Sequence, residues 1–196
     1  EFDVFRAGDK VGRHTVRFTR SGNELKVESA MNLAIEVLFI TVFRYAYRAE
    51  GTWRNRQLQN LVSRVDDNGR KYTVAAARQG DFFNLTRPDD ISDAAAAPVI
   101  PTNHWNPEVL NQTRVLNTLT GRINAVRIEP RGPEQVDTER GPVPAMRYAY
   151  TGALQNEVWS DSAGRWVKLR FQGLDGSTIE YVCRLCQGTP PAGQTE

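Results

Sequence analysis

Apolar and polar residues alternate with a period of two in several segments of this chain. Residues 14–18, 167–171 and 179–183 each place apolar side chains on one face and charged or polar side chains on the other. Alternation of this kind is typical of β-strands that have one buried face and one face in water. Turn-forming pairs such as Asn68-Gly69 separate these segments at the spacing expected for hairpins. The pattern therefore predicts an all-β protein built from antiparallel strands.

A single long strand is predicted over residues 34–53, with apolar side chains on both of its faces. Because sheet twist accumulates along a strand of this length, the strand has to curl or bulge. We therefore expect a strongly curved antiparallel sheet, or a partial β-barrel, that forms one domain over residues 1–186.

Two segments interrupt the alternating pattern. Residues 87–109 contain several prolines and a run of alanines, which predicts one long loop, and a short helix is predicted at residues 107–111. Loops of this length in compact domains usually have a function, so we interpret this one as a lid. Residues 187–196 are rich in glycine and proline, and we predict a disordered tail there.

The composition is that of an ordinary globular protein, and it narrows the choice of partners. The chain has 196 residues, 40% of them hydrophobic, which is enough to build a core. The net charge of +2 is too small to indicate a nucleic acid partner. Arg44 and Arg48 alternate with Tyr45 and Tyr47, but in a strand the two sets lie on opposite faces. We therefore predict a solvated face beside a buried one, and no nucleic acid partner.

The sequence predicts no membrane-spanning segment. The longest apolar run, residues 35–47, is interrupted by Glu36 and Arg44. It is also shorter than the roughly 20 apolar residues that a membrane helix needs. The sequence begins on a strand-like segment without an initiator methionine, which predicts a mature product whose signal peptide has been removed.

Several short motifs carry a resemblance to a known family. They are Glu50-x-x-Trp53, a hairpin over residues 58–69, His104-Trp105-Asn106, Leu119-Thr120-Gly121, Tyr148-x-Tyr150-x-Gly152, Trp159, Trp166-Val167-Lys168-Leu169 and Asp175-Gly176-Ser177. With these motifs the chain resembles, over nearly its whole length, a proteobacterial family of secreted or periplasmic proteins of unknown function. That family is distantly similar to the curved, half-open barrels of lipoprotein-localisation carriers. The resemblance implies a curved antiparallel sheet and an envelope location, and it brings no established activity.

Cys183 and Cys186 are the only cysteines and are spaced C-x-x-C. In an extended strand the two residues would lie about 10 Å apart, beyond the roughly 7 Å separation of Cα atoms that a disulfide allows. A disulfide therefore requires a bend at Arg184-Leu185, and an oxidising periplasm would favour its closure. The alternative is a small buried Cys183 beside a free thiol at Cys186. A thioredoxin-like redox motif would need a following helix, and none is predicted.

The two histidines do not form a metal-binding pattern. Neither His14 nor His104 has a ligand-spaced partner nearby, so we predict no metal site and no cofactor. His14 lies on a predicted apolar face, either as a satisfied core histidine or as a polar anchor in a cavity. His104 precedes Trp105 and Asn106 at the end of the long loop. This cluster either covers the mouth of the sheet, or fills its interior with Trp105 and caps the short helix.

Large aromatic side chains are abundant enough to line a ligand pocket. The predicted lining residues are Phe39, Phe43, Tyr45, Tyr47, His104, Trp105, Tyr148, Tyr150, Trp159 and Trp166. The leading hypothesis is a noncatalytic periplasmic protein that binds an apolar or amphipathic envelope molecule, or scaffolds an envelope assembly. One alternative is an envelope hydrolase or isomerase with His104 as general base and Glu50 or Glu157 as its partner. Another is an accessory subunit that docks on a larger complex through an exposed sheet edge.

Overall fold

The protein consists almost entirely of β-strands. The structure is a computed structural model that describes residues 1–37, 40–173 and 175–187. The strands are β1 Phe2–Arg6, β2 Asp9–Ser21, β3 Glu24–Val37, β4 Ile40–Arg54, β5 Gln57–Asp67, β6 Arg70–Gln79, β7 Phe82–Thr86, β8 Ser92–Ala96, β9 Arg114–Leu116, β10 Ile123–Thr138, β11 Gly141–Gly152, β12 Asn156–Asp161, β13 Trp166–Gln172 and β14 Thr178–Cys183. Two short 3₁₀ helices occupy Pro88–Asp90 and Pro107–Asn111. Among the residues described, no helix has the length and apolar character needed to cross a membrane.

All fourteen strands belong to one antiparallel sheet. Its hydrogen-bonded order is β8-β7-β6-β5-β4-β3-β2-β1-β14-β13-β12-β11-β10-β9, so β8 and β9 form its two ends and the sheet is not closed. Most neighbours in this order are also neighbours in sequence, as expected for strands joined by hairpins. The exception is β1, which pairs with the last strand, β14, through Val4 and Tyr181. The structure confirms the predicted all-β class and the antiparallel arrangement.

Tight turns connect the strands of several hairpins, and residues in these turns adopt the left-handed backbone conformation. Ala7 and Gly8 have φ values of 50° and 94°, and Asn68 and Gly69 have 50° and 96°. Two consecutive positive φ values are characteristic of the type I′ turn, whose twist matches that of the flanking strands. Asn55 and Arg56 adopt φ values of 50° and 64° without any glycine. The sequence signalled the Asn68-Gly69 turn clearly, whereas an arginine in a left-handed conformation has no such signature.

The prediction of one strand over residues 34–53 is wrong. In the structure β3 ends at Val37 and β4 begins at Ile40, and these two residues pair with each other. The intervening sequence contains no glycine, proline, asparagine or aspartate, so nothing in it marked a reversal of the chain. The expectation that both faces are covered is also wrong for the outward face, where Val42 is 52% exposed.

The segment predicted as one long loop, residues 87–109, contains regular structure. Its residues Ser92–Ala96 form strand β8, which pairs with β7 and is a mostly exposed end of the sheet. Alanine has little strand propensity, which explains why this run did not indicate a strand. The predicted short helix is confirmed at Pro107–Asn111, where the Asn106 side chain accepts a hydrogen bond from the backbone N–H of Glu108 at 3.1 Å.

The chain packs as two compact units. The first contains Glu1–His14, Asn103–Arg114 and the chain from Ala125 onwards, and the second contains Thr15–Thr102 and Val115–Asn124. The tail predicted from residue 187 begins on a residue that the first unit buries: Gln187 is 7% exposed. Residues 188–196 lie outside the described part of the chain.

Strands of the first unit bury side chains on both faces of the sheet. On one face, cross-strand pairing aligns Val158, Leu169, Tyr181 and Val4, all of them buried. On the other face a smaller cluster contains Trp159, packed with Val136, Ala145 and Val167. Both faces of this part of the sheet therefore contribute to the core.

In the second unit, the alternating residues of β4 form a buried row. Tyr47 and Ala49 pack with Val65 of β5, and Met31, Tyr45 and Tyr72 surround them. Gly51 continues the row, and a Cβ atom at that position would lie only 2.7 Å from the ring of the buried Trp53. Glycine at this position therefore leaves the space that the indole ring occupies.

Candidate functional site

An aromatic and histidine cluster in the first unit is the strongest candidate for a functional site. Trp166 lies at its centre, with its ring centroid 4.0 Å from that of Phe2 and 5.9 Å from that of Tyr181. The rings of His14 and His104 lie 5.4 Å and 5.5 Å from the same indole. Tyr150 meets His104 edge to face at 5.7 Å. We call these six residues the histidine cluster: Phe2, His14, His104, Tyr150, Trp166 and Tyr181.

A β-bulge at the start of β13 directs Trp166 into the histidine cluster. The pairing of β12 with β13 changes register here, so that Trp159 pairs with Lys168 and Ser160 with Trp166, leaving Val167 without a direct partner. An extra residue of this kind re-aims the side chains around it. Val167 packs against Trp159 on one face of the sheet, while Trp166 contacts the histidines of the cluster. The indole N–H of Trp166 donates to the carbonyl of Lys168 at 2.9 Å.

Each histidine is positioned by a different element. His14 lies on β2 directly opposite Phe2 of β1, and this pairing places the imidazole beside the buried phenyl ring. His104 precedes the capped 3₁₀ helix at Pro107–Asn111, and this capped segment carries its ring to Tyr150 and Trp166. Strand pairing and a helix cap therefore bring together two residues that are 90 positions apart in sequence.

The polar atoms of the histidine cluster are buried without hydrogen-bond partners. Within the described residues this applies to both ring nitrogens of His14, to Nδ1 of His104 and to the hydroxyl oxygen of Tyr150. Leaving such a group unpaired costs roughly 1–3 kcal/mol, and for this reason buried polar atoms in native proteins are nearly always paired. Several unpaired atoms in one place mark a site whose hydrogen bonds water or a ligand can complete.

Burial keeps both histidines neutral at physiological pH. It lowers the pKa of His14 to about 3, with a smaller contribution from the neighbouring charge of His104, and it lowers the pKa of His104 to about 4. Burial likewise raises the pKa of the Tyr150 phenol. The cluster therefore offers neutral donors and acceptors in apolar surroundings, since a neutral imidazole has one of each.

The carboxylates predicted as partners of His104 are engaged in other ion pairs. Glu50 binds Lys26 at 3.3 Å, and Glu157 forms two hydrogen bonds with Arg170 at 2.8 Å and 2.5 Å. His104 also has a pKa well below the operating range of a general base at neutral pH. The structure thus shows no catalytic pairing of His104 with Glu50 or Glu157.

The predicted lining residues do not form a single set. Three of them, His104, Tyr150 and Trp166, meet in the histidine cluster. Trp159 shares the opposite face with Lys168, whose Nζ lies 5.1 Å from the indole, and its ring N–H donates to Glu134 at 2.8 Å. The predicted residues Trp105 and Tyr148 are partly buried in the first unit, Phe43 and Tyr45 are partly buried in the second, and Phe39 lies outside the described residues.

Tyr47 has a structural role in the second unit. Its hydroxyl donates to Oγ1 of Thr118 at 3.0 Å, and Ser63 donates to the carbonyl of Thr118. Burial raises the pKa of Tyr47 to about 12, although the hydrogen bond to Thr118 opposes this. The hydroxyl is therefore neutral and satisfied, in contrast to that of Tyr150.

The disulfide interpretation of the C-x-x-C motif is confirmed. Cys183 and Cys186 are bonded, with their Cα atoms 5.7 Å apart, and the chain bends at Arg184 and Leu185, as the geometry required. The alternative with a free Cys186 is therefore wrong. The carbonyl of Glu1 accepts hydrogen bonds from the N–H groups of Arg184 at 2.9 Å and of Leu185 at 3.0 Å, which holds this bend in place.

Glu139 lies against the disulfide, a contact that the sequence did not indicate. Its carboxylate accepts hydrogen bonds from the N–H groups of Cys186 at 3.1 Å and of Gln187 at 2.9 Å, and it lies 3.2 Å from Sγ of Cys183. Burial alone would raise the pKa of Glu139, but the pKa is lowered because the N–H groups of Cys186, Gln187 and Glu139 itself, together with the charge of Arg140, outweigh burial. The carboxylate of Glu139 and the two sulfurs lie within 4.8 Å of one another, close enough to share a metal ion, but disulfide sulfurs lack the thiolate charge that binds a metal. In this form the group therefore serves to hold the C-terminal bend.

Sequence reasoning also missed Phe2 and Tyr181 as members of the histidine cluster. Both were detectable, because residues 2–6 and 179–183 alternate as strands and the two residues lie on the apolar faces. Their proximity depends on the pairing of the first strand with the last, which a period-two pattern cannot specify. Of the two interpretations that the sequence allows for His14, the unpaired ring nitrogens favour the polar anchor over the satisfied core histidine.

Comparison with known protein families assigns this chain to one of them. A family described as Domain of unknown function (DUF6134) matches residues 2–184. The chain belongs to this family. The fold of this chain is similar to that in the crystal structure of a beta-barrel-like protein of domain of unknown function DUF1849 from Brucella abortus, with a TM-score of 0.65 over 92% of each chain. The two sequences are 10% identical, so this likeness concerns the fold alone. No curated protein matches this DUF6134 chain.

These comparisons confirm part of the resemblance inferred from the motifs. A family of unknown function and a structure with a barrel-like fold agree with it. The secreted or periplasmic location and the proteobacterial origin of this DUF6134 protein stay predictions.

Proposed function

We propose that this DUF6134 protein is a noncatalytic binding protein that holds an apolar or amphipathic molecule of the cell envelope at the histidine cluster. The observation that carries the proposal is the set of buried, unpaired polar atoms on His14, His104 and Tyr150 within an aromatic cluster. Ligand sites in proteins typically combine an apolar lining with a few convergent polar groups.

The chemistry of the histidine cluster matches a ligand with a large apolar body and an uncharged or weakly polar group. The rings of Phe2, Trp166 and Tyr181 supply apolar surface, and burying apolar surface yields about 25 cal/mol for each Å² removed from water. A hydroxyl or carbonyl of the ligand would satisfy nitrogens that are otherwise unpaired. Neutral histidines favour such groups over a strongly charged anion.

An extracytoplasmic location is part of the proposal. The disulfide between Cys183 and Cys186 supports it, because structural disulfides persist in oxidising compartments such as the periplasm and are rare in the cytosol.

Native mass spectrometry of the protein purified without detergent tests this function. We expect an added mass that is lost when His14→Phe and His104→Phe are combined, because phenyl rings fill the same space without polar atoms. Lys168→Gln is the matched control, since the Lys168 side chain lies over Trp159 on the opposite face of the sheet. The Lys168 carbonyl that accepts from Trp166 belongs to the backbone, and the variant keeps it. An added mass that survives in the double variant, or is missing from the wild type, contradicts the proposal.

The hydrolase or isomerase alternative can be separated from binding by one substitution. A general base at His104 would make His104→Asn lose turnover without a change in melting temperature. Binding at the histidine cluster instead predicts altered ligand retention in this variant. The lowered pKa of His104 and the absence of a carboxylate pairing with Glu50 or Glu157 favour binding over catalysis.

A further inference from the structure

A second site is indicated by a surface pocket in the second unit. The pocket has a volume of about 400 Å³ and lies on strands β4, β5 and β6. Its polar lining comes from Arg48, Arg64, Asp66, Lys71, Tyr72 and Thr73. Three cationic side chains thus face one carboxylate, which gives this pocket a positive potential.

Two arginines lie directly opposite each other in the pocket. Arg48 of β4 and Arg64 of β5 are partners in the strand register, so their side chains project from the same face. Like charges in this position repel and destabilise the sheet. Neither arginine forms an ion pair with any of the residues that the structure describes.

The neighbours of the two arginines are small and uncharged. In the same row of the sheet Ala30 pairs with Arg48, and Thr73 pairs with Arg64. Both arginines are exposed. The row therefore leaves open space around two guanidinium groups, and no residue in it neutralises them.

The nearby carboxylates are already engaged. Asp66 lies two residues beyond Arg64. Its carboxylate accepts a hydrogen bond from the N–H of Gly69 at 2.8 Å, and its Oδ2 lies 3.8 Å from Nζ of Lys71. Glu50, two residues beyond Arg48, binds Lys26 at 3.3 Å. Among the cations that line the pocket, Lys71 has a carboxylate partner, and Arg48 and Arg64 keep their charge for an external partner.

We propose that this pocket binds a phosphate group, carried by a soluble phosphate ester or by a phospholipid head group. Guanidinium groups donate pairs of parallel N–H bonds to phosphate oxygens. A dianionic phosphate monoester neutralises two of them at once, and the monoanionic phosphodiester of a lipid head group neutralises one while it bridges both. Binding therefore removes the repulsion between Arg48 and Arg64 as well as adding charge-assisted hydrogen bonds. The proposal does not depend on the histidine cluster, because the two sites share no residue.

The affinity test uses inorganic phosphate and glycerol 3-phosphate as probes, at constant ionic strength with chloride as the reference anion. We expect saturable binding, with NMR shifts concentrated at the Nε–H signals of Arg48 and Arg64. Combining Arg48→Gln with Arg64→Gln should weaken binding at least tenfold, since hydrogen bonds between charged groups are among the strongest in proteins.

Arg54→Gln is the matched control for this loss. Arg54 lies on the same strand as Arg48, is exposed and is paired with Glu24, so its removal takes away one charge without touching the pocket. The control should keep the wild-type affinity.

Without phosphate, Arg64→Gln should be at least as stable to urea as the wild type, which separates lost binding from lost folding. Equal losses in control and double variant, or unsaturable shifts spread over all arginines, overturn the proposal.

Co-sedimentation with lipid vesicles distinguishes a phospholipid head group from a soluble phosphate ester as the ligand. Co-sedimentation with phosphatidylglycerol vesicles that the double variant abolishes, and that phosphatidylcholine vesicles do not reproduce, identifies an anionic lipid head group. Saturable binding of glycerol 3-phosphate without vesicle binding identifies a soluble phosphate ester. Both results support the phosphate site, and the failure of all three phosphate probes overturns it.

Discussion

The pKa values of His14 and His104 are set by the side chains around them and differ from that of a free imidazole. Aromatic rings replace water around both imidazoles, and this desolvation lowers the pKa of His14 to about 3 and that of His104 to about 4. In the unfolded chain both would titrate near pH 6.5. The difference links the histidine cluster to the stability of the protein.

Acid should destabilise the protein through these two residues. Since their pKa values are lower in the folded state, the unfolded chain binds more protons as the pH falls below 6.5. Each histidine then removes about 1.4 kcal/mol of stability for every pH unit down to its folded pKa. Urea denaturation between pH 4 and 7 measures this dependence.

The control for the pH dependence is the variant that combines His14→Phe with His104→Phe. It retains the carboxylates that also titrate at low pH, so the difference between the two proteins isolates the histidines. We expect a shallower loss of stability in the variant between pH 6.5 and 4. Parallel curves for the two proteins would show that the imidazoles are solvated in the folded state.

At the scale of single elements, the turn of the β1–β2 hairpin holds an alanine in an unfavourable backbone conformation, which a substitution can relieve. Ala7 occupies a left-handed position with φ of 50°, where a Cβ atom is unfavourable, and Gly8 follows with φ of 94°. Asparagine tolerates this conformation, and Asn-Gly is the preferred pair for a type I′ turn. Ala7→Asn should therefore stabilise the protein by about 1 kcal/mol in urea denaturation.

The neighbouring substitution Gly8→Ala should act in the opposite direction. It introduces a Cβ at the second left-handed position, where no other atom lies within 4 Å, so any loss of stability reflects backbone conformation alone. Unchanged stability in both variants would mean that the turn is not of type I′.

The C-terminal bend is a second element whose contribution can be measured. A disulfide that closes so short a loop removes little entropy from the unfolded chain, and the chain-entropy relation gives about 2 kcal/mol. We expect the Cys183→Ser and Cys186→Ser double variant to lose about this much stability. Dithiothreitol should reduce the stability of the wild type similarly and should not affect the double variant. A wild type that is insensitive to the reductant contradicts this account.

The sequence allowed the faces of individual strands to be predicted but not where every strand ends. Alternation in residues 179–183 correctly placed Tyr181 on the buried face. The reversal between Val37 and Ile40 was missed because no turn-forming residue marks it. Backbone hydrogen bonds between strands, rather than local propensity, define that hairpin.

The candidate site was predictable only in part, for a related reason. His104, Tyr150 and Trp166 were selected as aromatic or titratable residues, and the structure brings them together. The sequence predicts Trp159 and Trp166 in one pocket lining, yet the bulge at Val167 separates them onto opposite faces. A bulge inserts one residue into a period-two pattern, so counting alternate positions assigns the wrong face beyond it.

For the whole molecule, a single sheet brings the ends of the described chain into one unit. Pairing of β1 with β14 places Phe2 and Tyr181 beside Trp166, and it joins Glu1 to the C-terminal bend. The histidine cluster therefore depends on the longest-range contacts of the fold. Because the first and last strands of the sheet form these contacts, the histidine cluster reaches its native geometry only when the complete sheet has formed.

A crystal structure of the protein purified without detergent tests the central claim most directly. The proposed binding function predicts ordered density from a bound molecule within hydrogen-bonding distance of the ring nitrogens of His14 and His104 or the hydroxyl of Tyr150. A cluster that is packed solid, with these atoms bonded to protein groups or to water alone, would contradict it.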